Sequence, residues 1–162
     1  MPIREAIPED FDRIWPFFQA IAAAGETFAY APDTTREEGF KLWFGPQHRV
    51  FVLEEDGAIL GTYYLRPNQP GLGAHVCNCG YMVSPAARGR GVATALGEHS
   101  QATALALGYK AMQYNFVVST NEQAIRIWRK LGMKIVARLP KAYRHARLGY
   151  VDALVMYKWL AD

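Results

Sequence analysis

One stretch constrains this chain more than any other: Tyr81-Met-Val-Ser-Pro85-Ala-Ala-Arg88-Gly89-Arg90-Gly91-Val92-Ala93-Thr94. It reads as a strand end, a glycine-rich turn and a helix start in immediate succession, the helix running over about 90–107 to Gly108. Small residues at 89, 91 and 93 let backbone N–H groups come close to a ligand. The helix start adds partial positive charge, and Arg88 and Arg90 add full charges. That is a cradle for a pyrophosphate. A further strand at about 111–118 makes the unit a strand–helix–strand crossover, which implies a parallel pair within an α/β sheet.

The ligand is narrowed by what the turn lacks. Gly89-x-Gly91 could open a dinucleotide fingerprint, but Thr94 stands where the third glycine belongs, and the next strand ends in Val118-Ser119 with no acid for a ribose. A nucleotide-binding P-loop needs Gly-Lys-Ser/Thr, which is missing. NAD and ATP therefore fall behind.

The stretch Arg88-x-x-Gly91-x-Ala93, after a strand ending Val83-x-Pro85, resembles the acetyl-CoA signature of the GNAT N-acetyltransferase superfamily. That family's next motif is matched by Asn121-x-x-Ala124, Trp128 and Lys130-Leu-Gly132-Met133. The resemblance implies the GNAT fold, a mixed central sheet with splayed parallel strands and flanking helices. It also implies acetyl-CoA as co-substrate and no metal. Backbone groups near Met82 and Val83 would pair with the pantetheine arm. The amides of Arg88, Gly89, Arg90, Gly91, Val92, Ala93 and Thr94 would hold the pyrophosphate, and Asn121 would lie near the sulfur end. Many relatives carry a tyrosine at the position of Trp128 as the acid that protonates the departing thiolate. An indole N–H has no such acid chemistry, which leaves Asn121 or water to steady the thiolate.

At 162 residues, with 51% apolar and 20% charged side chains, the chain suits one domain, residues 1–162, that needs neither disulfide nor metal. A formal charge of +3 is too small to argue for nucleic acid. No apolar run approaches the ~20 residues that span a bilayer, and Met-Pro-Ile-Arg-Glu opens without a signal-peptide apolar region, so a soluble cytoplasmic protein is expected. His75-x-Cys77-x-Cys79 invites a metal, but on a strand His75 and Cys79 would stand ~13 Å apart, too far to share one zinc. The first helix is expected over 8–24, a second behind a capping box at Thr35–Glu38, and a hairpin at 50–54 and 59–65 around Asp56-Gly57. A helix over about 121–131 and two strands, about 133–138 and 151–159 with a loop containing Pro140 between them, complete the order.

Acetyl transfer to an amine needs a neutral nucleophile, an oxyanion donor and a proton acceptor. Asn78, Gly80 and Met82 share one strand face, and Gln113, Asn115 and Val117 another. Asparagines within apolar strands are costly unless partnered, so Asn78 and Asn115 are candidate acceptor contacts. With Asn121 they also resemble the fungal N-acetyltransferases that act on proline analogues such as azetidine-2-carboxylate. In that group the matching residues contact the small imino acid and, for Asn121, the cofactor. The acceptor class implied is a small amine, amino acid or imino acid. For a general base, Glu26 comes first, because residues 25–31 should fold over the acceptor mouth; His75 comes second, and a water relay stays open. Phe28, Tyr30, Tyr63 and Tyr64 are candidate pocket walls. Lys141, Arg144, His145 and Arg147 read as a solvated loop, with an acidic substrate or a partner subunit in a homodimer as alternatives. Acetylation of a protein N-terminus or lysine, and a non-catalytic acetyl-CoA sensor, are the rival functions.

Overall fold

The structure, a computed structural model describing residues 1–162, begins with a strand that the helix-first reading passes over. This is β1 (Ile3–Glu5), too short to show a period. A 3-10 turn at Pro8–Asp10 leads into α1 (Phe11–Ala24), which buries Phe11, Ile14, Phe17, Phe18 and Ala22 and continues through Pro16. The capping box forms at the start of α2 (Arg36–Trp43): Thr35 Oγ1 accepts from the Glu38 N–H at 3.2 Å, and Glu38 Oε1 accepts from the Thr35 N–H at 2.9 Å. β2 (Arg49–Glu55) and β3 (Ala58–Pro67) then meet at Asp56-Gly57, both with positive φ, the turn whose twist matches a hairpin.

β4 (Val76–Val83), α3 (Val92–Ala106), β5 (Ala111–Val118) and α4 (Glu122–Lys130) follow, then β6 (Lys134–His145) and β7 (Gly149–Trp159). The loop expected around Pro140 is instead strand. β6 runs on to His145 through a register break between Leu139 and Tyr143, where Lys141 takes a φ of 53°. Proline is tolerated there because β6 is an edge strand and the break removes it from the ladder.

The sheet order is β1-β2-β3-β4-β5-β7-β6. Its only parallel pair, β4 with β5, lasts three rungs, from Val76↔Ala111 to Asn78↔Gln113, and the strands then part. α3 and α4 cover one face, over a core that includes Tyr63, Cys77, Cys79, Leu96, Met112 and Trp128. α1 and α2 cover the other, over Phe18, Trp43, Val52 and Met82. Cys77 and Cys79 are free, buried core residues, and His75 is exposed against the Trp159 ring. No helix is long and apolar enough to cross a membrane.

A bulge in β5 changes one expected face. Register against β7 shifts between Tyr114 and Val117, so Asn115 and Phe116 stand outside the ladder. Val117 turns to pack with Met112 and Tyr114, leaving Gln113 and Asn115 without it.

Candidate active site

Gly89 and Gly91 both adopt left-handed backbone, with φ of 78° and 77°, and a Cβ at either would meet nothing within 4 Å. Glycine is there for the turn, and the space above it is open. α3 starts at Gly91 without a side-chain cap, and the N–H groups of Gly89, Arg90 and Gly91 donate to no group of the protein. Uncapped donors at a helix start hold an anion. Arg88 lines the adjoining cavity, of about 430 Å³, with Val83, Pro85, Gly89 and Ala93. Arg90 departs from expectation: its guanidinium is turned to Glu55 on β2 at 2.9 Å, so only its backbone is offered to a ligand. Val92 is buried in the core and offers its amide alone; Thr94 is half-buried in the first turn of α3.

The parting of β4 from β5 leaves backbone groups unpaired. Ser84 N–H donates to the Leu60 carbonyl at 2.8 Å, which sets the alternation with β3. Met82, opposite Thr62, therefore has both backbone groups engaged on β3, while those of Tyr81 and Val83 face the gap. Contrary to expectation, Tyr81 rather than Met82 presents unpaired backbone to the gap, and the Met82 side chain is core.

A second cavity, of about 300 Å³, lies in the gap under residues 27–30. Phe28, Tyr30, Tyr64, Tyr114 and Phe116 form its walls, and Asn78 and Asn115 both reach it. Asn78 Nδ2 donates to the Gln113 carbonyl at 3.0 Å, tying β4 to β5 at the last rung before the gap. Its Oδ1 accepts from Arg66 Nε at 3.2 Å and more weakly from Tyr64 Oη at 3.4 Å. Asn115 Nδ2 donates to Asn68 Oδ1 at 2.7 Å, and Gln113 Nε2 donates to Asn115 Oδ1 at 3.0 Å. Tyr63, the other aromatic expected here, is core, with its hydroxyl 2.7 Å from His99 Nδ1.

The two cavities meet at Thr27, Phe28, Tyr81, Asn121, Ala124 and Trp128. Asn121 precedes the first turn of α4 but makes no side-chain capping bond, so its amide is free at this junction. Trp128 packs on Tyr81 and Tyr114, ring centroids 4.5 and 5.4 Å away. Beneath it Ser100 Oγ donates to the Gly97 carbonyl at 2.7 Å and so accepts from Tyr81 Oη, also at 2.7 Å, which in turn accepts from Tyr114 Oη at 3.0 Å. That chain of hydroxyls ends on the Gly97 carbonyl, and burial pushes both tyrosines well above their ordinary pKa. Burial raises Tyr30 and Tyr64 as well.

Glu26 is not placed as a base. It lines the anion-side cavity, accepts from Arg147 Nη2 at 2.7 Å and lies 3.6 Å from His145 Nε2. The Arg147 bond holds its carboxyl below the usual range, which weakens it as a proton acceptor. The basic stretch is strand and turn rather than loop, with Lys141, Arg144 and Arg147 exposed as expected and His145 buried. Ala146 N–H donates to the Gly25 carbonyl and Tyr143 Oη to the Phe28 carbonyl, both at 2.9 Å, which fastens residues 25–28 over the cleft. Arg66, Tyr81 and Tyr114 escaped the sequence reading. The register Arg66↔Asn78 would have exposed the first of them, but it depends on hairpin pairing that residue spacing alone does not fix.

Residues 7–133 match the family model described as Acetyltransferase (GNAT) family, and the chain belongs to that family. The architecture is the GNAT α/β fold, with its mixed seven-stranded sheet and flanking helices. A GCN5-related N-acetyltransferase from Kribbella flavida superposes with a TM-score of 0.92 at 42% identity, covering 98% of this chain and 97% of that one. The protein yncA from Salmonella typhimurium, a putative acetyltransferase solved with its cofactor acetyl-CoA, superposes at 0.84 with 21% identity, covering 100% and 95% of the two chains. The N-acetyltransferase aca1 of Schizosaccharomyces pombe is 35% identical over 99 residues, 60% of this chain and 47% of that protein, so the match spans about half of that relative's length.

Proposed function

We propose that this chain transfers the acetyl group of acetyl-CoA to the nitrogen of a small amine, with amino acids and imino acids such as azetidine-2-carboxylate as the acceptor class. The observation that carries the reading is the junction of two cavities, one ending on free helix-start amides and the other closed by aromatic walls. The turn residues 88–94 fit a pyrophosphate, and the unpaired backbone of Tyr81 and Val83 fits an extended amide arm. When bound, the cofactor supplies an acetyl thioester. The amine nitrogen, as free base, attacks the thioester carbonyl carbon; the carbon–sulfur bond breaks, and the electron pair leaves on sulfur. Asn121 donates a hydrogen bond from its amide to that sulfur. The ammonium proton passes to water, because no carboxylate or imidazole lines the acceptor cavity.

A pocket of about 300 Å³ takes a small molecule rather than a protein chain. A site of action in the cytoplasm, where acetyl-CoA is used, goes with this reading. So does a homodimer through β6, an edge strand that presents Ile135, Val136 and Leu139 to solvent. The test is free-thiol release from acetyl-CoA with a panel of small amines, beside a thermal melt with acetyl-CoA, NAD and ATP. Thiol release and a rise in Tm with acetyl-CoA alone are expected. No rise at millimolar acetyl-CoA would refute the cofactor, and a rise without turnover would favour a sensor.

A further inference from the structure

Among the residues lining the acceptor cavity, Arg66 is the only one that carries a formal charge. Its setting differs from that of Arg4, Arg13, Arg49, Arg90 and Arg147, each of which meets a carboxylate within 3 Å. Arg66 meets none. Its Nε is held by Asn78 Oδ1, while its terminal nitrogens donate to no protein acceptor. They are not sealed off either, since no buried side-chain nitrogen or oxygen lacks a partner. A half-buried guanidinium with two free nitrogens, facing aromatic walls, is a fork without its anion.

We propose that Arg66 binds a carboxylate on the acceptor, and that the enzyme therefore selects amines bearing an acid group over neutral or cationic amines. The inference rests on the acetyl-transfer reading and makes it narrower. Arg66 stands opposite Asn78, where β4 and β5 are still joined, and the junction with the cofactor cavity begins at Tyr81. Three residues of strand separate the two, roughly 10 Å, which an arginine side chain and a short amino acid together span. The acid end lies at the closed end of the gap and the amine points to the thioester. Asn78, buried and bonded to both Arg66 and Gln113, positions the guanidinium and is not itself required to touch the acceptor.

The test compares azetidine-2-carboxylate, proline and alanine with their carboxamides, which keep the shape and lose the charge, in the native protein and in Arg66→Gln and Arg66→Lys. The acids are expected to be the better acceptors. Arg66→Gln should raise KM for the acids roughly tenfold to a hundredfold, with a smaller change in kcat and little change for the carboxamides. Arg66→Lys should restore part of the loss. Carboxamides used as well as acids by the native protein would overturn the proposal, and so would equal damage by Arg66→Gln to both series. Absence of turnover with every acid also overturns it, and a Tm rise with acetyl-CoA would then show that the cofactor reading survives its loss. Unchanged melting and acetyl-CoA affinity in Arg66→Gln exclude a folding defect.

Discussion

Asn121 and Trp128 stand two helical turns apart on one side of α4, and the two cavities meet between them. Asn121 has a free amide there, whereas the indole of Trp128 is packed against Tyr81, Tyr114 and the Gly97 backbone. Trp128→Phe should therefore keep most of the turnover while lowering stability by about 1–2 kcal/mol through lost packing. Asn121→Ala should lower kcat at saturating acetyl-CoA by roughly tenfold to a hundredfold, with stability almost unchanged. The reverse ranking in steady-state assays would show that the tryptophan, not the asparagine, steadies the leaving group. The missing base gives a second expectation. If the acceptor enters as its own free base, kcat/KM should rise with pH up to the ammonium pKa of whichever amine is used. A profile with the same inflection for amines of different pKa would point to a protein base instead.

The turn between β4 and α3 and the strand before it make predictions at the level of elements. Gly91→Asp would put a carboxylate where an anion belongs and a side chain on left-handed backbone. Acetyl-CoA should then no longer raise Tm, a result that thermal melts with and without ligand would show. Gly80 is fixed by a different constraint: a Cβ there would fall 2.4 Å from the Tyr64 ring, so the ring packs against bare backbone. The strand–turn–helix unit, the capping box at Thr35 and the Asp56-Gly57 hairpin were legible in residue order because each depends on local chemistry. The bulge at Asn115 and the run of β6 through Pro140 were not. Both arise where a strand adjusts its register to a partner elsewhere in the chain, and alternation of residue types carries no mark of that. The cavity was half legible for the same reason. Asn78 and Asn115 stood out as polar residues in apolar strands, whereas Arg66 looked like any solvated arginine until Asn78 was placed across from it.

At the scale of the molecule, Asp10 joins β1, α1 and the first hairpin. It is 3% exposed and accepts from both terminal nitrogens of Arg4, from Arg13 and from the Ile7 N–H, while both arginines also reach Glu54. The Arg4 bonds hold its carboxyl at about 2, below its unfolded value. A depressed carboxyl contributes stability that is present above about pH 4. That stability is lost as pH falls through about 2. Asp10→Asn should cost on the order of 2 kcal/mol at neutral pH. In urea melts the gap between the two proteins should narrow below about pH 4, and a constant gap would refute the linkage.

The position of β7 between β5 and β6 has a consequence for the order in which this molecule can be made. β5 carries Asn115 and one wall of the acceptor pocket, yet it has only three rungs to β4 and takes its longer ladder from β7. On the ribosome, β1 to β4 and the phosphate turn emerge with their partners already made. β5 must wait on the order of seconds for residues 149–159, with one edge bare. The anion site can therefore form before the acceptor pocket does, and a nascent chain halted before Gly149 should protect the turn at residues 88–94 from protease while β5 is still cut.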